Sequence, residues 1–211
     1  MKLYSYFRSS ASYRVRIALN IKKVNYDIEP INIVNGEQRE STYLEKNKQG
    51  LVPALELDTG EILTQSSAII EFLDHAFPEI PLIPMDKILA AKARALGSII
   101  TNEIQPLNNL RVLEYIRDVE KFDSSQVTKW YHTWLRSGFD ALENSIVKPF
   151  CLGETITIIE CCLIPQVYNA HRFKFDMSNY PKIQQIYNLC LELESFQRAS
   201  PEAQPDHPEN L

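Results

Sequence analysis

The chain has 211 residues, 45% of them hydrophobic, 10% aromatic and 23% charged. That is enough apolar surface to order one large domain or two small ones, and it excludes a disordered or low-complexity chain. Its 22 Lys and Arg against 27 Asp and Glu leave a formal charge of −5, a net field that repels phosphate backbones and anionic lipid, so neither nucleic acid nor membrane is an expected partner.

Leu3 to Tyr6 reads as a strand, and behind it Ala11, Val15, Ala18 and Leu19 recur at helical spacing. Tyr26, Ile28 and Pro30 suggest a second strand, the polar stretch Glu37 to Lys46 fits a short helix, and Val52 to Leu57 fits a third strand. Asp58-Thr59-Gly60 is the turn of a hairpin that returns through Glu61 to Thr64, after which Ser66, Ile69, Ile70 and Leu73 open another helix. The order β-α-β-α-β-β-α within residues 1–80 predicts a four-stranded mixed sheet covered by helices.

Pro78, Pro81 and Pro84 interrupt regular structure and read as a linker. Beyond Met85 the spacing is helical throughout, as in Ala91, Ala95 and Ile99, and again in Trp130, Trp134, Phe139 and Leu142. The expected organisation is an α/β domain over 1–80 and an all-helical domain over 86–211. Thr157 and Glu160 have the spacing of a capping box for a helix that Pro165 is expected to bend, and Pro201, Pro205 and Pro208 suggest an extended tail. Cys151, Cys161, Cys162 and Cys190 lack C-x-x-C spacing and paired His, so they are expected to be buried thiols and no metal site is expected. No uncharged stretch reaches the roughly 18 apolar residues of a membrane span, and the charges in Met1 to Arg16 do not suit a secretory leader; a cytosolic protein is expected.

The run Tyr4-Ser5-Tyr6-Phe7-Arg8-Ser9-Ser10-Ala11-Ser12-Tyr13-Arg14-Val15-Arg16-Ile17-Ala18-Leu19 resembles the signature of the zeta-class glutathione transferases. Gly50-Leu51-Val52-Pro53, Gln65-Ser66, Ile104-Gln105-Pro106-Leu107, Pro165-Gln166-Val167-Tyr168-Asn169-Ala170 and Gln204-Pro205-Asp206 are similar to later segments of that class, so the resemblance covers nearly the whole chain. It implies the glutathione transferase architecture, a thioredoxin-like glutathione-binding domain followed by an all-helical substrate domain, and a homodimer. Two positions depart from the class: Ala11 stands where it usually has Cys, and Lys48 where it often has Pro.

Ser9 and Ser10 lie where the first strand gives way to the first helix, a place for an N-cap hydroxyl. The same geometry favours a thiolate, and the resemblance implies that Ser9, with Ser10 next, stabilises the glutathione sulfur and carries catalysis. It also implies a cis Val52–Pro53 bond that turns the Val52 backbone toward the tripeptide; alone, Pro53 reads only as the start of a strand. Gln65 and Ser66 read as a turn residue and an N-cap, or as the grip on the γ-glutamyl carboxylate, and Gln38 is expected at the glycine end. Gln105 and Asn109, four apart beside Pro106, either point polar groups at the cleft as further cofactor contacts or satisfy backbone freed by the proline. Arg8, Arg111 and Arg172 are candidates for the carboxylates of a small dioxo dicarboxylic acid, against the ordinary reading of solvated arginines. His171 reads as a structural or surface group.

The activity implied is glutathione-dependent cis–trans isomerisation of maleylacetoacetate to fumarylacetoacetate, a step of tyrosine and phenylalanine breakdown, by thiolate addition, bond rotation and elimination. Isomerisation of maleylpyruvate or glutathione conjugation to α-halo acids is the alternative within the class. A non-catalytic binding scaffold on the same fold, which Ala11 would favour, is the rival of another kind.

Overall fold

A computed structural model describes residues 1–210, with strands and helices in the expected order. They fall into two units: Met1–Leu82 together with the tail from Leu191 onward, and Ile83–Cys190. The first boundary lies near the expected proline linker, but the tail belongs with the first unit rather than with the helices that precede it.

In the first unit β1 (Lys2–Ser5) lies parallel to β2 (Asp27–Pro30) and antiparallel to β3 (Ala54–Glu56), and β4 (Ile62–Thr64) pairs with β3, giving the order β2-β1-β3-β4. Leu3 faces Leu55 across the β1–β3 ladder and both are fully buried. Alternation turns the next pair, Tyr4 and Ala54, to the opposite side of the sheet, where they pack with Tyr43 of α2 (Ser41–Leu44). The helices α1 (Ser10–Ile21) and α3 (Ser66–Ala76) pack on each other and bury Val15, Ala18, Leu19, Ile69, Ile70 and Leu73. Buried Lys22 closes the end of α3: its ammonium sits 2.8 Å from Asp74 and donates to the Phe77 and Ile80 carbonyls. The hairpin turn forms as expected, with Gly60 at φ +89°.

The tail is not extended. It folds into α9 (Glu194–Gln197) and a 3-10 turn at Pro201–Ala203, burying Phe196, Ala199, Pro201 and Gln204. Pro201 opens that turn, where a fixed φ and a missing N–H are assets, so the proline starts structure instead of breaking it.

The second unit is helical except for two bridges, Val147 with Leu152 and Phe150 with Gly153. Its helices are α4 (Lys87–Ser98), α5 (Leu110–Asp118), α6 (Ser124–Ser145), α7 (Ile158–Arg172) and α8 (Pro181–Leu191, which crosses the unit boundary). The α4 stripe differs from the expected one: Ala91 and Ala95 are exposed, and Ala90, Ala93 and Gly97 are buried against α7. The capping box of α7 forms as read: Thr157 Oγ1 accepts from Ile159 N–H, and Glu160 accepts the Thr157 N–H at 2.7 Å. Glu160 is fully buried and also accepts from Cys151 N–H at 2.7 Å, tying the loop before the helix to its first turn. Pro165 lies inside α7, which runs unbroken past it.

Candidate functional site

Ser9 is the N-cap of α1, with φ −68° and ψ 117°, and its Oγ accepts the Ser12 N–H at 3.2 Å. The capping role is therefore filled, yet a hydroxyl that accepts through a lone pair keeps its own proton to donate. Ser10, the first helical residue, stands beside it at the positive end of the helix dipole, and both serines are half-buried. Ala11 follows in the same turn. Arg8, one residue before Ser9, is exposed, its guanidinium 6.0 Å from the Tyr6 ring and 5.7 Å from the Phe7 ring.

A second helix start lies in the same unit. Gln65 precedes α3 at φ +68°, a left-handed conformation costly for a residue with a Cβ, and such strain clusters at functional sites. Its amide donates to Gln49 Oε1 at 2.8 Å. Ser66, buried at the first position of α3, accepts from the guanidinium of buried Arg14 at 3.3 Å. That bond leaves the Ser66 hydroxyl proton to donate and adds positive charge to the dipole end, which together suit a carboxylate. Because Arg14 rises from α1, one side chain ties the second turn of α1 to the start of α3.

The 38–53 segment brings further polar groups to this unit. Gln38 is buried and its Oε1 has no hydrogen-bond partner. Gly50, at φ +61°, lies so close to Gln38 that a Cβ there would meet the Gln38 carbonyl at 3.1 Å. The Val52–Pro53 bond is cis, as the resemblance implied. Thus Arg8, Ser9, Ser10, Gln38, Val52, Gln65 and Ser66 all belong to one unit, with Gln65 and Ser66 tied to their neighbours by the bonds above.

Gln105, Asn109, Arg111 and Arg172 belong to the other unit. Gln105 and Asn109 do not share a helix face: Gln105 ends a π-helical turn, Ile99–Ile104, and Asn109 has extended backbone as the N-cap of α5, accepting from Arg111 N–H. Pro106 between them cannot donate into a continuous helix, which separates the two. A π turn is itself a frequent mark of function. Gly138 on α6 admits it, since a Cβ there would fall 2.3 Å from Ile104 Cδ1. Arg111 is exposed on α5. Arg172, exposed in the last turn of α7, donates to Asn169 Oδ1 at 3.0 Å and lies 5.8 Å from the Phe173 ring, where its charge also favours the helix end. His171 stands beside it, and desolvation of the ring lowers its imidazole pKa.

Sequence reading missed Arg14, Arg16 and Gln49. The signal was present in part: two arginines inside the apolar stripe of a helix have to be buried, and buried charge demands partners. Arg16 is fully buried, pushed down to about 10 by desolvation, and held by oxygens of Ser5, Tyr6, Phe7 and Ala199. The four cysteines are buried and none forms a disulfide; burial pushes the Cys151, Cys161 and Cys190 thiols up. Among the described residues no group of His, Cys, Asp or Glu could hold a metal, and no helix is long and apolar enough to cross a membrane.

Residues 8–76 match the glutathione S-transferase N-terminal domain. A maleylpyruvate isomerase of Ralstonia is 42% identical over 98% of this chain and 99% of its own length. The structure of a maleylpyruvate isomerase, described as a bacterial glutathione transferase of the zeta class, superposes with a TM-score of 0.95 at 41% identity, covering 98% of this chain and 99% of that one. A maleylacetoacetate isomerase from Anaeromyxobacter dehalogenans with glutathione bound in its active site gives 0.88 at 35% identity, over 98% of this chain and 97% of that one. With such identity sustained along nearly its whole length, the chain belongs to the maleylacetoacetate and maleylpyruvate isomerase family, the zeta class of glutathione transferases.

Proposed function

We propose that this protein is a glutathione-dependent isomerase that converts maleylacetoacetate to fumarylacetoacetate, as the activities of its relatives suggest. The observation that carries the reading is the pairing of two helix starts in one unit: Ser9 and Ser10 at α1 for a thiolate, and Ser66 backed by Arg14 at α3 for a carboxylate. Glutathione fits these groups: the buried Gln38 Oε1, without a partner, can accept a backbone N–H of the tripeptide, and the hydroxyl proton of Ser66 is available to an anion.

Bound glutathione supplies a thiolate that adds to the activated alkene and departs after the bond has rotated. Ser9 donates to the sulfur, with Ser10 and the helix dipole adding to the same potential. Lowering a thiol pKa by about two requires ~2.7 kcal/mol, within reach of one charge-assisted hydrogen bond plus a helix terminus. Val52 offers its backbone to the tripeptide as an added strand would, Gln65 and Ser66 hold its γ-glutamyl end, and Gln38 its glycine end. Arg8, Arg111 and Arg172 hold the carboxylates of the dioxo acid and spread the negative charge that develops on it.

Maleylpyruvate is the second reading, favoured by the Ralstonia relative at 42% identity. The test is acceleration of maleylacetoacetate isomerisation by purified protein, with and without glutathione and with maleylpyruvate as competitor. Acceleration of neither acid would leave a binding scaffold. The same reading sets the enzyme in the cytoplasm, in tyrosine and phenylalanine catabolism, and as a homodimer. Met85, Ile88 and Leu89, 91%, 68% and 42% exposed around the start of α4, are apolar surface suited to an isologous contact. Sedimentation at micromolar concentration is expected to give twice the chain mass, and a monomer alone would refute the pairing.

A further inference from the structure

The tail of the first unit takes no part in the proposed chemistry, yet it reaches the turn that precedes Ser9. Asp206 Oδ2 accepts the Phe7 N–H at 2.8 Å across 199 residues of sequence. On the other side of the same residue, Arg16 Nη2 donates to the Phe7 carbonyl at 2.9 Å. Both polar groups of one backbone residue are therefore held by charged side chains of opposite sign, and charge-assisted bonds are the stronger kind. Arg16 reaches Tyr6 C=O at 3.4 Å and, through Nε, the tail at Ala199 C=O at 2.9 Å. Tyr6 C=O in turn accepts the Ser9 N–H at 3.0 Å. The path from carboxylate to serine thus runs through consecutive hydrogen bonds and the four-residue turn Tyr6–Ser9.

The tail is itself fastened. Buried Gln204 donates to the Arg198 and Ser200 carbonyls at 3.0 and 2.7 Å, and the His207 ring meets the Phe7 ring edge-on at 5.3 Å. Asp206 Oδ1, however, is buried with no hydrogen-bond partner. Stability alone is poorly served by a carboxylate that gives up solvent and recovers one bond. Holding a particular backbone orientation gives that cost a purpose.

We propose that Asp206 is a positioning residue that fixes the Tyr6–Ser9 turn through the Phe7 peptide, with Arg16 as the opposing clamp, and so aims the Ser9 hydroxyl at the thiol. This rests on the reading of Ser9 as thiolate donor. Asp206→Ala, Asp206→Asn and Asp206→Glu test it, with urea midpoints to establish that each variant is folded. The readouts are the pH midpoint of the ultraviolet thiolate absorbance of enzyme-bound glutathione, kcat and KM, and amide exchange at Phe7 in unliganded protein.

Asp206→Ala is expected to raise the thiolate midpoint by about one in pH and to lower kcat about tenfold, the scale of one lost well-aligned bond, with glutathione KM nearly unchanged. Asn keeps an oxygen acceptor and is expected to restore most of both. Glu keeps the charge but moves the acceptor by one methylene, and it is expected to raise the midpoint by less than Ala does. An unchanged midpoint in a folded Ala or Glu variant overturns the proposal. If wild-type protein gives no thiolate signal, the Ser9 reading fails while Phe7 exchange still decides the clamp: faster exchange in Asp206→Ala or Asp206→Glu supports it, and unchanged exchange overturns it.

Discussion

At the scale of single residues, Ser9 carries two tasks at once. Its Oγ caps α1 by accepting from Ser12, and its proton is the proposed donor to sulfur. Ser9→Ala is therefore expected to cost about 1 kcal/mol of stability and on the order of 10²-fold in kcat. Ser66→Ala, at the residue proposed to hold the γ-glutamyl end, is expected to raise the glutathione KM and leave kcat nearly unchanged. Steady-state kinetics at varied glutathione separate the two, and exchanged signatures would exchange the assignments. Arg172→Gln should weaken a dianionic substrate selectively, by about 2–3 kcal/mol in kcat/KM, because a neutral amide cannot replace a charged contact. Equal slowing of conjugation to a neutral haloarene would make Arg172 structural, through its bond to Asn169 and its place at the end of α7.

At the scale of elements, the π turn Ile99–Ile104 is admitted by the missing side chain at Gly138. Gly138→Ala drives a methyl into buried Ile104, so it is expected to destabilise by about 1–3 kcal/mol despite the better helix propensity of Ala. Urea midpoints check this, and a stabilised variant would mean that Ile104 can move aside. The π turn was not legible in the sequence, where Gln105 and Asn109 read as one helix face, because hydrophobic spacing over six residues cannot separate α from π winding. The strands, the hairpin turn and the capping box of α7 were legible, since period-two alternation, Asp-Thr-Gly and Thr-x-x-Glu are local signals. On α4 the helix was legible but its buried side was not: in a segment rich in Ala, propensity is uniform and packing chooses the stripe. The tail failed for another reason, as proline count says nothing about whether a proline begins a turn. Ser9, Ser66 and Val52–Pro53 were found at the starts of elements. Arg14 was passed over, since its role depends on α3, distant in sequence.

At the scale of the whole molecule, burial of sulfur ties stability to alkali. Cys151, Cys161 and Cys190 have thiols pushed up by burial. In the unfolded chain they ionise near pH 8.5 while the folded ones stay protonated, so folded protein binds more protons above that pH. Their contribution is thus complete below about pH 8.5 and lost as pH rises, by up to about 1.4 kcal/mol per thiol per pH step. Urea midpoints at pH 7.5, 8.5 and 9.5 are expected to fall with increasing slope, and Cys190→Ala should flatten that slope; an unchanged slope would remove Cys190 from the account. The same burial, with Ala11 at the start of α1, also sets a stoichiometry. A chromogenic disulfide reagent should find no reactive sulfur on the folded chain and four after unfolding. On the function proposed above, an electrophilic acid then meets one accessible thiol, that of an exchangeable tripeptide. Damage to that thiol would be repaired by dissociation, and repeated turnover would leave the chain's own cysteines untouched.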